Sequence, residues 1–177
     1  WVGTYGGGLN RFDCKQESFT QYRHDPDNST SIASDYIYTF YKDGQGTLWI
    51  GTDGGGLDKY DPDSDSFVHY KHDAENPNSL SDNYVSTIFE DSQGSLWVGS
   101  SNGLNRLDNE TDLFSPFFHD ANDSLSLAYK YINVIFEDRF GWFWLGTDDG
   151  LFRLLRDQKK IIRFQFDEKN PNSISSN

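Results

Sequence analysis

Apolar residues occur along this chain in short runs separated by polar turns that contain glycine. Three of the runs have the same length and begin with tyrosine, namely Tyr36–Tyr41, Tyr84–Phe89 and Tyr131–Phe136. Each is followed by a turn with aspartate at its first position and glycine at its fourth. Such a turn suits a β-hairpin, because aspartate accepts local backbone hydrogen bonds and glycine adopts positive φ. No stretch of about 10–15 residues places its apolar residues at helical spacing, so the pattern predicts strands.

A tryptophan cassette repeats along the chain at nearly constant spacing. The sequence Trp-x-Gly-Thr, with serine replacing threonine in one copy, begins at Trp1, Trp49, Trp97 and Trp144, which are 48, 48 and 47 residues apart. Each cassette is followed by glycines, a leucine-centred run, an aromatic run, a polar loop and a Ser-Leu or Ser-Ile pair. Four short strands in about 40–50 residues are typical of a β-propeller blade. The chain is therefore predicted to be all-β, with four-stranded antiparallel sheets as its blades.

The repeat predicts the domain organisation as well. We treat residues 1–177 as one partial propeller with repeats at about 1–48, 49–96, 97–143 and 144–177. In one full copy the strands are expected at Tyr84–Glu90, Leu96–Gly99, Leu104–Leu107 and Leu113–His119. The division gives 15 strands, three in the first blade and four in each of the others, or about 3.75 blades.

Two further expectations concern packing and closure. The repeated tryptophans should pack between neighbouring blades, because a position filled alike in every copy is explained most simply by the fold. Propellers close with 4–8 blades, so the chain is expected to be an arc of a larger ring and a segment of a longer protein. Alternatively, two copies assemble and hide the open sheet edges, which otherwise invite pairing.

Composition and charge exclude several classes of partner. The chain has 15 Lys and Arg against 28 Asp and Glu, a net charge of −13. Binding to nucleic acid or to an anionic membrane requires a basic face, so neither is expected. Neutral or cationic ligands are more compatible, or anionic ligands held by local Arg and Lys. Cys14 is the only cysteine, which rules out an intrachain disulfide and a Cys-x-x-Cys metal site. No apolar stretch is long enough to span a membrane, so any membrane attachment is expected outside this chain.

The repeat resembles that of the two-component regulator propeller family. The matching residues follow in the family's order: Ser79-Leu80, Glu90-Asp91, Gly94, Leu96–Gly99, Gly103–Arg106 and Asp108. The resemblance implies a usually seven-bladed propeller in the extracytoplasmic, periplasmic sensor region of a bacterial membrane receptor, such as a hybrid histidine kinase or a diguanylate cyclase. It also implies an oligosaccharide ligand and no cofactor. The sequence departs from the pattern at Lys42, where the family has glutamate, and at Phe152 and Leu154-Leu155 in the last copy.

The candidate ligand site lies at the start of the innermost strands. Residues there follow the Ser-Leu loop and are expected to ring the mouth of the central channel. Tyrosine rings can stack on sugar faces while polar side chains supply hydrogen bonds. The ligand-binding candidates are Tyr36, Tyr84, Tyr131, Asp35, Asn83 and Lys130, together with Asp53 and Asp148 in the glycine loops. Tyr5 and Asn102 are further copy-specific residues of those loops, and the third copy has an extra tyrosine, Tyr129.

Other chemistry has less support in the sequence. Phe140 and Trp142 replace polar residues of the other hairpins, which suggests a protein contact or a partly buried turn. Arg11, Arg106 and Arg153, with Lys59 in register, allow an anion clamp but are better explained as inter-blade ion pairs. The histidines His24, His72 and His119 occur once per blade, too far apart to share a metal. No catalytic, metal or cofactor residue is assigned, because no specific motif for one is present.

Three functional hypotheses remain open. The first is a ligand-sensing propeller segment that binds a carbohydrate. The second is an interaction scaffold that mediates homodimerisation without a small ligand. The third is a propeller-fold glycosidase or lyase, for which catalysis requires a pair of carboxylates or a histidine near the substrate.

Overall fold

The chain folds into successive antiparallel β-sheets in the computed structural model, which describes residues 1–117, 125–128, 130–155 and 161–177. The first sheet comprises β1 (Val2–Thr4), β2 (Gly8–Asp13) and β3 (Ser18–Tyr22). The second comprises β4 (Ile37–Lys42), β5 (Leu48–Thr52), β6 (Leu57–Asp61) and β7 (Ser66–Tyr70). The third comprises β8 (Val85–Glu90), β9 (Leu96–Ser100), β10 (Gly103–Asp108) and β11 (Leu113–Phe117). The fourth comprises β12 (Ile132–Glu137), β13 (Trp142–Thr147), β14 (Gly150–Leu155) and β15 (Ile161–Phe164).

This organisation confirms the predicted all-β propeller blades. Over the described ranges, the strands number fifteen, three in the first sheet and four in each of the others. Sequential strands pair within each sheet, as in a meander. In the third sheet the predicted bounds agree with the observed ones to within about a residue, except that β11 ends at Phe117 and His119 lies outside the described residues. The innermost strands adjoin one another, β4 beside β8 and β8 beside β12.

The hydrophobic cores lie between neighbouring sheets rather than within one sheet. Trp49 and Leu57 of the second sheet pack with Val85, Val98 and Phe114 of the third. The next interface has the same design, with Trp97 of the third sheet against the fourth. Trp49 and Trp97 are 2% and 0% exposed. The predicted packing of the repeated tryptophans between blades is therefore what the described interfaces show.

One hydrogen-bond motif closes the hairpin between the first two strands of each four-stranded sheet. The carboxylate at the first turn position accepts from a tryptophan Nε1 six residues later, at 2.8 Å for Asp43 and Trp49, 2.8 Å for Asp91 and Trp97, and 2.9 Å for Asp138 and Trp144. The other carboxylate oxygen accepts backbone N–H groups of the same turn. Trp144 Nε1 and these N–H groups hold the pKa of Asp138 below its usual value. The motif therefore joins a local turn to the core between sheets.

A second contact links each hairpin to the following sheet. Glu90 Oε2 accepts from the Gly44 backbone N at 2.7 Å, and Glu137 Oε2 accepts from Ser92 N at 2.7 Å. Lys42 occupies the position of these glutamates, yet its own hairpin forms the same internal bonds as the others. Lysine at position 42 leaves its own turn intact, because the side chain at this position, as Glu90 and Glu137 show, contacts the hairpin of the neighbouring sheet.

The basic residues after each glycine loop lie over the tryptophans. The Lys59 ammonium lies 5.3 Å from the Trp49 ring centre, and the Arg106 guanidinium lies 5.5 Å from that of Trp97. Lys59 also pairs with Asp112 of the next sheet at 3.6 Å, as Arg11 does with Asp65 at 3.6 Å. These contacts agree with the inter-blade explanation of the basic residues. In the last copy Phe152 and Leu154 are fully buried, so the departure there extends the core.

We expect Trp97→Phe to lower the free energy of unfolding by about 1–3 kcal/mol, because it preserves most of the buried ring but removes the donor to a carboxylate. Trp97→Ala should cost more, roughly 3–5 kcal/mol, since a cavity is added. Urea denaturation of the three proteins measures both differences. If Trp97→Phe is as stable as the unsubstituted chain, the indole–aspartate bond contributes nothing net to stability.

Candidate functional site

Five tyrosines form a continuous row at one end of the innermost strands. Ring centres lie 4.8 Å apart for Tyr36 and Tyr5, 6.0 Å for Tyr5 and Tyr38, 4.7 Å for Tyr38 and Tyr84, and 5.6 Å for Tyr84 and Tyr131. The residues of this tyrosine row come from all four described sheets. The structure thus brings together the three tyrosines predicted from the sequence and adds two more.

Local backbone geometry places the rings side by side. Tyr36, Tyr84 and Tyr131 each precede an innermost strand, and those strands adjoin. Tyr5 follows β1 and forms an isolated antiparallel bridge with Tyr36. Tyr38 lies at a shift in the β4–β5 register between Ile37 and Thr39. Bulges of this kind re-aim side chains, and here Tyr38 lies against Tyr84 of the next sheet.

The tyrosine row is accessible to solvent. Tyr5, Tyr36 and Tyr38 are 68%, 45% and 43% exposed, and Tyr84 and Tyr131 are half-buried. Exposed aromatic residues that touch one another present an extended apolar surface with hydroxyl groups on it. Such a surface can stack against the apolar face of a sugar ring and hydrogen-bond to its hydroxyls.

Three hydroxyls of the tyrosine row have a raised pKa. The neighbouring Tyr38 hydroxyl, then burial and the Asp53 carboxylate, raise the pKa of Tyr5. The hydrogen bond with Tyr84 is the first cause that raises the pKa of Tyr38, and burial is the first cause for Tyr84. Tyr5 Oη donates to Asp53 Oδ2 at 3.4 Å. These three rings therefore remain neutral at neutral pH and keep their hydrogen-bond donors.

Asp53 and Asp148 occupy equivalent places beside the tyrosine row. The backbone N of Asp53 donates to the Tyr36 carbonyl at 3.0 Å, and that of Asp148 to the Tyr131 carbonyl at 3.3 Å. Asp148 Oδ1 also accepts from the Tyr131 backbone N at 3.1 Å. Asp53 is half-buried and Asp148 is exposed. Both predicted aspartates are thus positioned next to the rings.

Asp35 and Asn83, two other predicted ligand residues, support the long loops instead. Asp35 Oδ1 accepts from the His24 backbone N at 2.9 Å, and Asn83 Oδ1 accepts from the His72 backbone N at 2.7 Å. Asn177 makes the same bond with the backbone N of Phe166 at 2.7 Å. A bond found in three copies belongs to the scaffold. Arg23 further pairs with Asp35 at 2.8 Å.

Lys130 lies in an ion network beside the last glycine loop. Its Nζ is 2.5 Å from Asp149 Oδ2, and the Arg163 guanidinium is 2.9 Å from the same oxygen. The hydrogen bond from Lys130 is the first cause that lowers the pKa of Asp149. Lys130 therefore has an ion-pair partner within the protein, and Asp149 shares its single negative charge between Lys130 and Arg163.

Sequence reasoning missed a buried cluster around Asp58 that anchors the loop leading to Tyr36. Asp58 has a fully buried carboxylate, whose Oδ1 lies 2.6 Å from His69 Nδ1 and whose Oδ2 accepts from Ala33 N at 2.8 Å. His69 Nε2 lies 3.0 Å from the Ser29 carbonyl oxygen. Since both ring nitrogens face acceptors, the arrangement favours the imidazolium form, and the bond to Asp58 raises the pKa of His69. The signal in the sequence is that Asp58 replaces the asparagine found as Asn105 in the next copy.

The two residues predicted for a protein contact have different surroundings. Phe140 is 70% exposed, with the Arg139 guanidinium 4.7 Å from its ring centre. Trp142 is half-buried, and the Arg153 guanidinium lies 4.5 Å from its ring centre. Phe140 is thus available for a protein contact, whereas Trp142 matches the alternative of a partly buried turn.

His24 and His72 hydrogen-bond to backbone carbonyl groups and so support local structure. His24 Nδ1 and His72 Nδ1 lie 2.9 and 2.7 Å from the carbonyl oxygens of Ile32 and Leu80. Within the described ranges, no three His, Cys, Asp or Glu residues converge as metal ligands. His119 and Tyr129 lie outside the described residues. The described segments also contain no helix with the length and hydropathy needed to span a membrane.

Comparison with known proteins gives a consistent pattern. Residues 31–54, 79–102 and 126–149 match the two component regulator propeller family model. Each match runs from the Ser-Leu loop through the innermost strand and hairpin to the tryptophan strand. No curated protein matches the chain.

Two solved structures with a similar fold are extracellular domains of putative hybrid two component systems. The extracellular domain of the putative hybrid two component system BT3049 from B. thetaiotaomicron is 27% identical, with a TM-score of 0.78 over 90% of this chain and 22% of that one. The extracellular domain of BT4673, from the same organism, is 19% identical with a TM-score of 0.78, over 97% of this chain and 22% of that one. The chain thus spans about a fifth of either relative.

We expect the contribution of His69 to stability to depend on pH. Its pKa in the folded protein is raised above the unfolded value of about 6.5. The stabilisation is thus complete below about pH 6.5 and is lost as pH rises through the folded-state pKa. His69→Gln should therefore lower the free energy of unfolding by roughly 1 kcal/mol more at pH 6 than at pH 9, as measured by urea denaturation.

Asp58→Asn is the matched control for this measurement, because it installs the residue that Asn105 supplies in the next sheet. In the Asp58→Asn background the cost of His69→Gln should be the same at both pH values. An equal cost in the unsubstituted background would show that His69 is not held as an imidazolium.

Proposed function

We propose that this chain, which carries three repeats of the two component regulator propeller family, is a segment of the extracytoplasmic ligand-sensing propeller of a bacterial signalling receptor. The proposal is supported by the similarity to the extracellular domain of the BT3049 hybrid system at 27% identity. We also propose a periplasmic location, in keeping with the extracellular position of that domain. The sensing role is a binding role and not a catalytic one, in keeping with the regulator repeats.

The packing of the sheets supports the view that the chain is an arc of a larger ring. Phe40 is 41% exposed, whereas Ile88 and Ile135 at the same strand position are each 6% exposed. Phe136 is 57% exposed, whereas Phe89 at its position packs against the core between sheets. Phe136 lies on a sheet face that no other described sheet covers. Phe40 faces the first sheet, whose three strands cover it only in part. A further strand beside β1 and a further blade after the fourth sheet would bury these side chains as the internal ones are buried.

The observation that carries the ligand-binding proposal is the tyrosine row. Its rings come from four successive sheets and touch in steps of 4.7–6.0 Å. This surface is longer than a single sugar ring, so it suits an oligosaccharide better than a monosaccharide. A ligand lying along it would contact all four sheets at once and stabilise their relative positions. That coupling is a simple means by which binding could be transmitted through a ring of sheets.

The same site gives little support to a glycosidase or lyase. Asp53 lies beside Tyr5 and Asp148 beside Tyr131, with Tyr38 and Tyr84 between them in the row. Hydrolysis of a glycosidic bond requires two carboxylates that flank one bond. The two aspartates instead border the ring surface, as expected for groups that orient a bound ligand.

Calorimetric titration with neutral cello-, xylo-, manno- and chito-oligosaccharides tests this function, on the chain alone and on the complete ectodomain that contains it. We expect at least one of these series to bind, and Tyr84→Ala to weaken that binding by about tenfold, because the central stacking partner is removed. Phe19→Ala is the control, since Phe19 is a 57% exposed aromatic residue on the outer strand β3.

Binding that is equal for Tyr84→Ala and the unsubstituted protein would refute the assignment of the site. No binding by any of these series to the complete ectodomain would refute the proposal that the tyrosine row binds neutral oligosaccharides.

A further inference from the structure

The charged side chains that hydrogen-bond to residues of the tyrosine row are carboxylates. Asp53 accepts a hydrogen bond from the hydroxyl of Tyr5, and the exposed carboxylate of Asp148 accepts one from the backbone N of Tyr131. Asp53 also contributes to the raised pKa values of Tyr5, Tyr38 and Tyr84. The negative field of Asp53 therefore reaches across much of the ring surface.

The basic residues next to the row are already paired. Arg23 binds Asp35, which precedes Tyr36, at 2.8 Å. Lys130, which precedes Tyr131, binds Asp149 at 2.5 Å. A carboxylate or sulfate brought onto the rings would have to compete with Asp35 or Asp149 for these cations. Leaving an anion near like charges without a partner is unfavourable, and the net charge of −13 adds to the repulsion.

The rings themselves favour the opposite charge. The face of a neutral tyrosine ring is negative and attracts cations, with roughly 0.5–1 kcal/mol at exposed sites. Tyrosine is neutral at pH 6 because its ordinary pKa is about 10. A cation over Tyr5 or Tyr38 would therefore be stabilised both by the ring face and by the carboxylate of Asp53. The combination of aromatic faces with a nearby carboxylate matches an ammonium group.

We propose that the tyrosine row selects oligosaccharides by charge, preferring those that carry protonated amino groups and rejecting those that carry acidic groups, with Asp53 as the counter-ion. The inference rests on the proposed function and narrows the ligand to amino-sugar oligomers. In this proposal Asp53 determines the charge preference, and the tyrosines supply most of the contact area.

Three tetrasaccharides test the proposal at pH 6: a glucosamine oligomer, which is cationic, its neutral N-acetylated counterpart, and an oligogalacturonate, which is anionic. Calorimetry should give affinities in that order, with the glucosamine oligomer bound at least threefold more tightly than the N-acetylated one. The preference should shrink as NaCl rises from 20 to 300 mM, about the range over which exposed charges become screened.

Asp53→Asn should reduce the ratio of the two affinities, glucosamine oligomer over N-acetylated oligomer, by about three- to tenfold. Asp63→Asn, an exposed aspartate of the β6–β7 turn, changes the net charge equally and should leave the ratio as it is. Tyr84→Ala should weaken both oligomers together, because it removes shared stacking.

The outcomes separate the two proposals. If Tyr84→Ala weakens binding but the anionic oligomer binds as well as the cationic one, charge selection is overturned and the binding surface stands. Equal effects of Asp53→Asn and Asp63→Asn on the ratio would likewise overturn the role of Asp53. If Tyr84→Ala has no effect on any of the three oligomers, the tyrosine row is not the binding surface and both proposals fail.

Discussion

The hydrogen bond from a tryptophan indole to the aspartate that opens each hairpin is the constraint on which the rest of the structure depends. It has nearly the same length in three sheets, 2.8, 2.8 and 2.9 Å. The aspartate closes the turn while the tryptophan ring fills the space between two sheets. Turn geometry and inter-sheet packing are therefore set by one pair of residues. Because the innermost strand ends at this hairpin, the pair also determines where the opposite end of that strand, and its tyrosine, lies.

Repetition explains why the fold could be predicted and why part of the site could not. The tryptophan spacing and the Asp-x-x-Gly turns predict the strands, their grouping into sheets and their approximate bounds. The same reasoning located Tyr36, Tyr84 and Tyr131, because they repeat. It overlooked Tyr38, although Ser86 and Asn133 at its position mark it as specific to one copy. A strand pattern does not reveal the register shift that places Tyr38 beside Tyr84.

Two of the polar candidates, Asp35 and Asn83, also have a role in the scaffold. The sequence indicates them as ligand residues because they stand at matching places beside the tyrosines. Their matching places are themselves the sign of a scaffold role, and the structure places their side-chain oxygens on loop N–H groups. The pairing of Lys130 with Asp149, and the Arg153 guanidinium over Trp142, depend on contacts between residues whose proximity the repeat does not encode.

The site combines positions that repeat with positions at which the copies differ. The tyrosine row uses a glycine-loop residue from the first sheet, a strand entrance and a bulge from the second, and strand entrances from the third and fourth. The Asp58–His69 pair likewise occurs where the next copy has Asn105, whose amide oxygen accepts from Ser81 N at 2.9 Å. In both places the hydrogen bonds shared by the copies are kept, because the side chain that differs occupies the same position as its equivalent in the other copies. Local differences on an invariant frame can therefore create a charged, aromatic surface without altering the packing between sheets.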